Sequence, residues 1–107
     1  MIIQVENNKE KEMISRTILE ALPDWFGLPE AREEYIVNSV NQQFFAAVKE
    51  EKTIGFLCLK QTGKDTVEVS VMGVLKEFHR HGIGRKLFMK AREKAIKDGF
   101  SFIQVKT

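Results

Sequence analysis

The chain has 107 residues, of which 43% are hydrophobic and 30% charged, the make-up of one globular domain able to bury a core without covalent staples. Its formal net charge of +2 is too small to argue for a nucleic-acid or membrane-surface partner. The single cysteine, Cys58, excludes an internal disulfide and any zinc-type cysteine spacing.

The opening segment, MIIQVENNKEKEM, lacks the positive start and long apolar stretch of a signal peptide. No window is long enough to span a bilayer. A soluble, cytoplasmic protein is therefore expected. Met1 to Val5 alternates and predicts a first strand. Asn7 and Asn8 are helix-capping residues, and Met13, Ile14, Thr17, Ile18, Ala21 and Leu22 then recur at helical spacing. Pro23 ends that helix, and Asp24 to Leu28 forms a loop. Pro29 suits the first turn of a second helix, with Glu30, Glu33 and Glu34 near its positive end. Tyr35, Ile36 and Val40 give this helix its apolar face.

Phe44 to Val48 and Thr53 to Leu59 read as strands around a hairpin tip at Lys49 to Lys52. Cys58 lies within the second of these apolar runs, where a buried thiol is expected. Gly63 to Asp65 marks another turn. Thr66 to Val74 forms a third strand, with Val67, Val69 and Val71 predicted on one face and Glu68, Ser70 and Met72 on the other. The short turns predict an antiparallel meander. Ile83, Leu87, Phe88, Ala91, Ala95 and Ile96 then form one helical stripe, which Gly99 stops. Ser101 to Lys106 is a final strand, reached by a parallel crossover. The predicted architecture is α+β: a mixed, mostly antiparallel sheet with helices on its faces, in α/β/α layers.

Between the third strand and the last helix lies His79-Arg80-His81-Gly82-Ile83-Gly84-Arg85-Lys86. Gly82 and Gly84 carry no side chain, so a ligand can approach the backbone closely. Amides of His81 to Arg85 at a helix start can converge on an anion, and Arg80, Arg85 and Lys86 add positive charge. The alternative is a plain tight strand-to-helix turn. Leu87 stands where a dinucleotide fingerprint needs glycine or alanine, and no Gly-Lys-Ser/Thr run forms a P-loop.

Taken with its flanks, the run VSVMGVLKEFHRHGIGRKLF resembles the coenzyme A segment of the GNAT family of acetyl-CoA-dependent N-acetyltransferases, whose loop reads Gln/Arg-x-x-Gly-x-Gly/Ala. His79 stands at the Gln/Arg position. The order of elements matches the family along the whole chain. The resemblance implies acetyl-CoA as cosubstrate and no metal. It places the pyrophosphate on the amides of Arg80 to Arg85, with His79, His81 and Lys86 beside it. The pantetheine arm would run along the main chain of Met72 and Val74, and Gly73 would sit at a strand bulge. The family's fold continues for a helix and two strands beyond the fifth strand, so a single domain over residues 1–107, truncated after that strand, is expected. The tyrosine that protonates the leaving thiolate in many members has no counterpart.

The implied reaction is direct attack of a primary amine on the acetyl group. The amine must lose a proton, and Glu68, six residues before Val74, is the candidate base. The competing reading of Glu68 is a solvated or ion-paired carboxylate. Trp25, Phe26 and Tyr35 fall where the family often lines its acceptor site, or are ordinary packing aromatics. A non-catalytic coenzyme A-binding or dimerisation module is the alternative function. No nucleic acid or membrane is expected as partner, and an exposed final strand predicts a homodimer.

Overall fold

The computed structural model describes residues 1–105. The elements run β1 (Ile2–Val5), α1 (Asn8–Glu20), α2 (Pro29–Ser39), β2 (Gln43–Lys49), β3 (Lys52–Gln61), β4 (Thr66–Val74), a 3-10 turn (Lys76–Phe78), α3 (Ile83–Lys97) and β5 (Phe102–Val105). The predicted end of the last strand at Lys106 lies outside the described residues.

Local chemistry sets the boundaries. Asn7 caps α1, its side-chain oxygen accepting from the Glu10 N–H at 3.0 Å. The β2–β3 tip is a two-residue turn in which Glu50 and Glu51 both have positive φ, 51° and 67°, the twist that a tight hairpin requires. At the end of α3 the Gly99 N–H bonds the Ile96 carbonyl and the Phe100 N–H bonds the Ala95 carbonyl, both at 3.0 Å. That double closure is a Schellman stop.

The strands form one sheet in the order β1-β2-β3-β4-β5. All pairs are antiparallel except β4–β5, which is parallel with α3 as its crossover. The fold is thus the expected α+β arrangement. One sheet face carries α1: a Cβ at Gly73 would lie 3.1 Å from Ile18 and 3.4 Å from Leu22. The other carries α3: a Cβ at Gly55, one step round on the paired strand, would lie 3.4 Å from Leu87. Phe44 and Phe56 stack at 5.2 Å between their centroids and are fully buried with Leu57, Ile36 and Leu87.

Several predicted faces are turned. In α1, Met13 is 62% exposed, while Lys11, Ser15, Ile18 and Leu19 face inward. Lys11 is buried because its ammonium caps the end of α2, donating to the Val40 carbonyl at 3.3 Å and the Gln42 carbonyl at 2.8 Å. Ser15 and Ser39, Oγ to Oγ 3.3 Å, let α1 and α2 approach. Consequently α2 buries Ile36 and Ser39, and Tyr35 is on the outside. In α3 the buried stripe is Leu87, Ala91 and Ala95, and Ile96 is exposed.

The largest departure is in β4. Cys58 pairs with Val71 but Leu59 pairs with Val69, so Ser70 is an extra residue, a bulge. The bulge is not at Gly73, which pairs regularly with Phe56. One inserted residue inverts every side chain beyond it. Lys60, Cys58 and Phe56 alternate along a regular stretch of β3, whose own irregularity lies at Ile54, so their partners Glu68, Val71 and Gly73 share a face, the one under α1 and α2. Val69 lies on the opposite face with Met72 and Val74. The expected sets Val67–Val69–Val71 and Glu68–Ser70–Met72 are therefore both broken.

Candidate active site

The β4–β5 ladder runs from Thr66–Phe102 to Val69–Val105. Ser70 to Val74 continues past it. The Leu75 N–H bonds the Ile54 carbonyl at 2.9 Å, and antiparallel bonding alternates. Gly73 and Val71 therefore bond toward β3, whereas the main-chain groups of Met72 and Val74 point to the other side. Among the described residues no strand pairs with them there.

These groups open into a cavity of about 440 Å³. Met72, Gly73 and Val74 form one wall, and Arg80, Gly82, Ile83 and Gly84 form another. Gly82 is the N-cap of α3, with φ +75° and no capping side chain. A Cβ there would meet nothing within 4 Å, so the space over the helix start is open. The Lys86 N–H makes the first helical bond, to the Gly82 carbonyl at 3.1 Å. The amides of Ile83, Gly84 and Arg85 precede it and have no place in the helical ladder. Arg80, exposed with φ +68°, turns the chain into the helix.

His79 also lines the cavity. Its Nε2 lies 2.7 Å from the Val74 carbonyl oxygen, which fixes Nε2 as the protonated nitrogen donating to that carbonyl. Trp25 meets the His79 ring edge-on at 5.2 Å. Three predicted residues lie outside the wall: His81, which packs on Phe78 at 6.0 Å between centroids, and Arg85 and Lys86, exposed on the first turn of α3. Leu22, Trp25, Phe26 and Phe78 make the cavity apolar and were not expected on this side. The one signal for them was an aromatic pair, Trp25-Phe26, in a short loop.

A second cavity of about 540 Å³ adjoins the first, and Met72 and Phe26 line both. Glu68 and Glu34 face it with Tyr35, Asn38 and Gln42 of the α2 region. Glu68 is 7% exposed and sits between Lys60 on β3 and Gln104 on β5. The Ser70 hydroxyl donates to the Gln42 side-chain oxygen, tying the bulge to the α2–β2 turn. Cys58 is fully buried beneath this region, and burial pushes its thiol pKa well above the ordinary range. It offers no nucleophile.

The Acetyltransferase (GNAT) family model matches residues 12–107. No curated protein matches the sequence. Among solved structures, an IAA acetyltransferase from Bacillus cereus ATCC 14579 is 28% identical with a TM-score of 0.78, covering 100% of this chain and 65% of its own. A ribosomal-protein-alanine N-acetyltransferase from Brucella melitensis biovar Abortus 2308 is 13% identical, also at 0.78, covering 100% of this chain and 79% of its own. An aminoglycoside N-acetyltransferase in complex with CoA is 21% identical at 0.73, covering 100% and 76%. With the family model spanning nearly the whole sequence over this strand, bulge and glycine turn, the chain belongs to the GNAT family of acetyltransferases.

Proposed function

We propose that the chain transfers an acetyl group from acetyl-CoA to a primary amine. The observation that carries this reading is the convergence of the Met72–Val74 edge and the Gly82 turn on one cavity. The site fits the cosubstrate chemically. Free amides at the start of α3 favour a pyrophosphate, and an exposed strand edge can pair with an amide-bearing arm. Trp25, Phe26 and Phe78 give the arm an apolar wall to lie against. The arm can use the Val74 N–H and the main-chain groups of Met72, while the Val74 carbonyl already accepts one hydrogen bond from His79. One solved relative is in complex with CoA, which is consistent with this assignment.

In the reaction the amine nitrogen forms a bond to the acetyl carbonyl carbon as the carbon–sulfur bond breaks, and coenzyme A leaves as a thiolate that takes up, through solvent, the proton lost by the acylated nitrogen. Amides near Met72 polarise that carbonyl. Glu68 takes the ammonium proton, directly or through a water. Its side chain lines the cavity that meets the donor cavity at Met72, on the face under α2. Calorimetry with CoA and thiol release from acetyl-CoA with an amine panel test the reading. Glu68→Gln should lower turnover by roughly 10²-fold with CoA affinity nearly unchanged; unaltered turnover would remove Glu68 as the base.

Among the described residues β5 is the last strand of the sheet, and Phe102 and Val105, on its opposite faces, are 64% and 55% exposed. We also propose that the outer edge of β5 pairs with a second copy of the chain. Light scattering giving a monomer mass at high concentration overturns that pairing.

A further inference from the structure

The place of the β4 bulge decides which cavity Glu68 enters. Glu68 lies before the extra residue, Ser70, and the Met72–Val74 edge lies after it. Suppose instead that the extra residue preceded Glu68, with the Cys58–Val71 pair kept. The pairs would then be Leu59–Ser70, Lys60–Val69 and Gln61–Glu68. A one-residue shift turns a side chain to the other face of the sheet. Glu68 would leave the face under α2, and the donor edge would stay where it is. The proposed reaction thus needs the bulge at residue 70, between base and donor.

The ladder alone does not choose that place, because an extra residue loses its pairing wherever it falls. Side chains choose it. Val71 is buried against the core, and Val69 packs on the core from the opposite face. Ser70 has a hydroxyl, which has one proton to donate. It donates to the Gln42 side-chain oxygen, with the Cys58 carbonyl as a longer second acceptor at 3.4 Å. Gln42 is itself held at the turn between α2 and β2. Its N–H bonds the Ser39 carbonyl at 3.1 Å, and its carbonyl accepts from the Lys11 ammonium at 2.8 Å. A fixed turn therefore reaches across to the extra residue of β4.

Resting on the acetyl-transfer reading above, we propose that Gln42 is a positioning residue for the reaction. Through the Ser70 hydroxyl it pins the bulge at residue 70 and so keeps Glu68 in the cavity under α2. In this role Gln42 touches no reacting atom. It acts through Ser70 on the geometry between base and thioester.

Gln42→Met tests this, because it keeps the side-chain length and the main-chain carbonyl that Lys11 holds, and removes the acceptor. With an amine found by thiol release, kcat should fall about tenfold, the effect of a displaced base. The CoA Kd and the acetyl-CoA KM should stay within about twofold of wild type. Ser70→Ala should act alike, and Ser70→Thr, which keeps the hydroxyl, should retain most of the turnover. In a Glu68→Gln background, Gln42→Met should lower kcat no further, because the base it positions is gone. A residue that only supports the fold would multiply the two losses. Multiplied losses, or wild-type turnover in Gln42→Met, overturn the proposal. So does a raised amine KM with kcat unchanged, which would make Gln42 a binding residue. No thiol release from wild type with any amine would instead sink the acetyl-transfer reading. Crystal structures of Ser70→Ala and Ser70→Thr then decide the positioning role alone. Glu68 turned out of the α2 cavity in the first and kept there in the second supports it. Glu68 unmoved in the first, or displaced in both, overturns it.

Discussion

At Gly82 one missing side chain suits both the backbone and the proposed ligand. Its φ of +75° lies where a side chain is strained, and a Cβ would project into open cavity. Gly82→Val should therefore cost about 1–2 kcal/mol in folding stability from the backbone. It should reduce CoA affinity far more than that, because the added methyls take the space a phosphate needs. Urea melts and calorimetry on the same samples separate the two effects. A variant that binds CoA normally would show that the phosphate lies elsewhere. The glycine was legible only with its flanks, since a bare Gly-x-Gly before a helical stripe suits a plain turn equally well. Its neighbour His79 was legible only as a departure from the family's Gln or Arg. That its ring would reach back to the Val74 carbonyl depends on the 3-10 turn at Lys76–Phe78, for which the residues gave no periodic signal.

At the scale of elements, α1 is fixed from two sides. Gly73 on β4 lets the helix approach closely. A Cβ there would lie 3.1 Å from the Ile18 Cγ2 and 3.3 Å from the Phe56 ring. Gly73→Ala should destabilise by about 1–3 kcal/mol through overpacking, measured as a shifted denaturation midpoint with unchanged slope. A neutral result would mean that α1 can slide on the sheet. On the outer side Arg16 grips Glu33 of α2 by two hydrogen bonds, of 2.8 and 2.7 Å. That guanidinium holds the Glu33 carboxyl below the usual range. A depressed carboxyl contributes stability above its unfolded pKa and loses it as pH falls through the folded value. Wild type should thus lose melting temperature on acidification more steeply than Arg16→Gln. Identical slopes would show the pair to be screened by solvent. Helix existence and ends were readable from Asn7, Pro29 and Gly99. Helix rotation was not, because Lys11 and Ser15 look like surface residues until α2 supplies carbonyls and a serine for them to meet. The β4 bulge was equally hidden: Ser70 continues an alternating pattern, and only pairing with β3 shows that it is the extra residue. Glu68 was thus found as a cavity carboxylate but assigned to the wrong face.

For the whole molecule, the sheet centre reports on the site at its edge. Cys58 sits on β3 between β2 and β4, with no exposed surface. Burial raises its thiol pKa, so the native thiol is both shielded and protonated. A thiol reagent should reach it only through global opening, at a rate set by the unfolded fraction when reclosing is fast. The sign of the pH effect follows from the same shift. The unfolded thiol ionises near ~8.5 and the folded one far higher, so this contribution is complete below ~8.5 and declines as pH rises above it. The donor cavity joins β4 to α3 and to the α1–α2 loop, so a ligand there should bind only the folded chain. CoA at a hundred times its Kd then stabilises by about 2.7 kcal/mol and should slow Cys58 labelling roughly 100-fold. Gly82→Val should abolish that protection without making the thiol reactive in the absence of ligand beyond what its own stability loss predicts. Labelling that is fast in the native protein, or insensitive to CoA while calorimetry records binding, would mean that β3 opens locally and that the cavity is not coupled to the core.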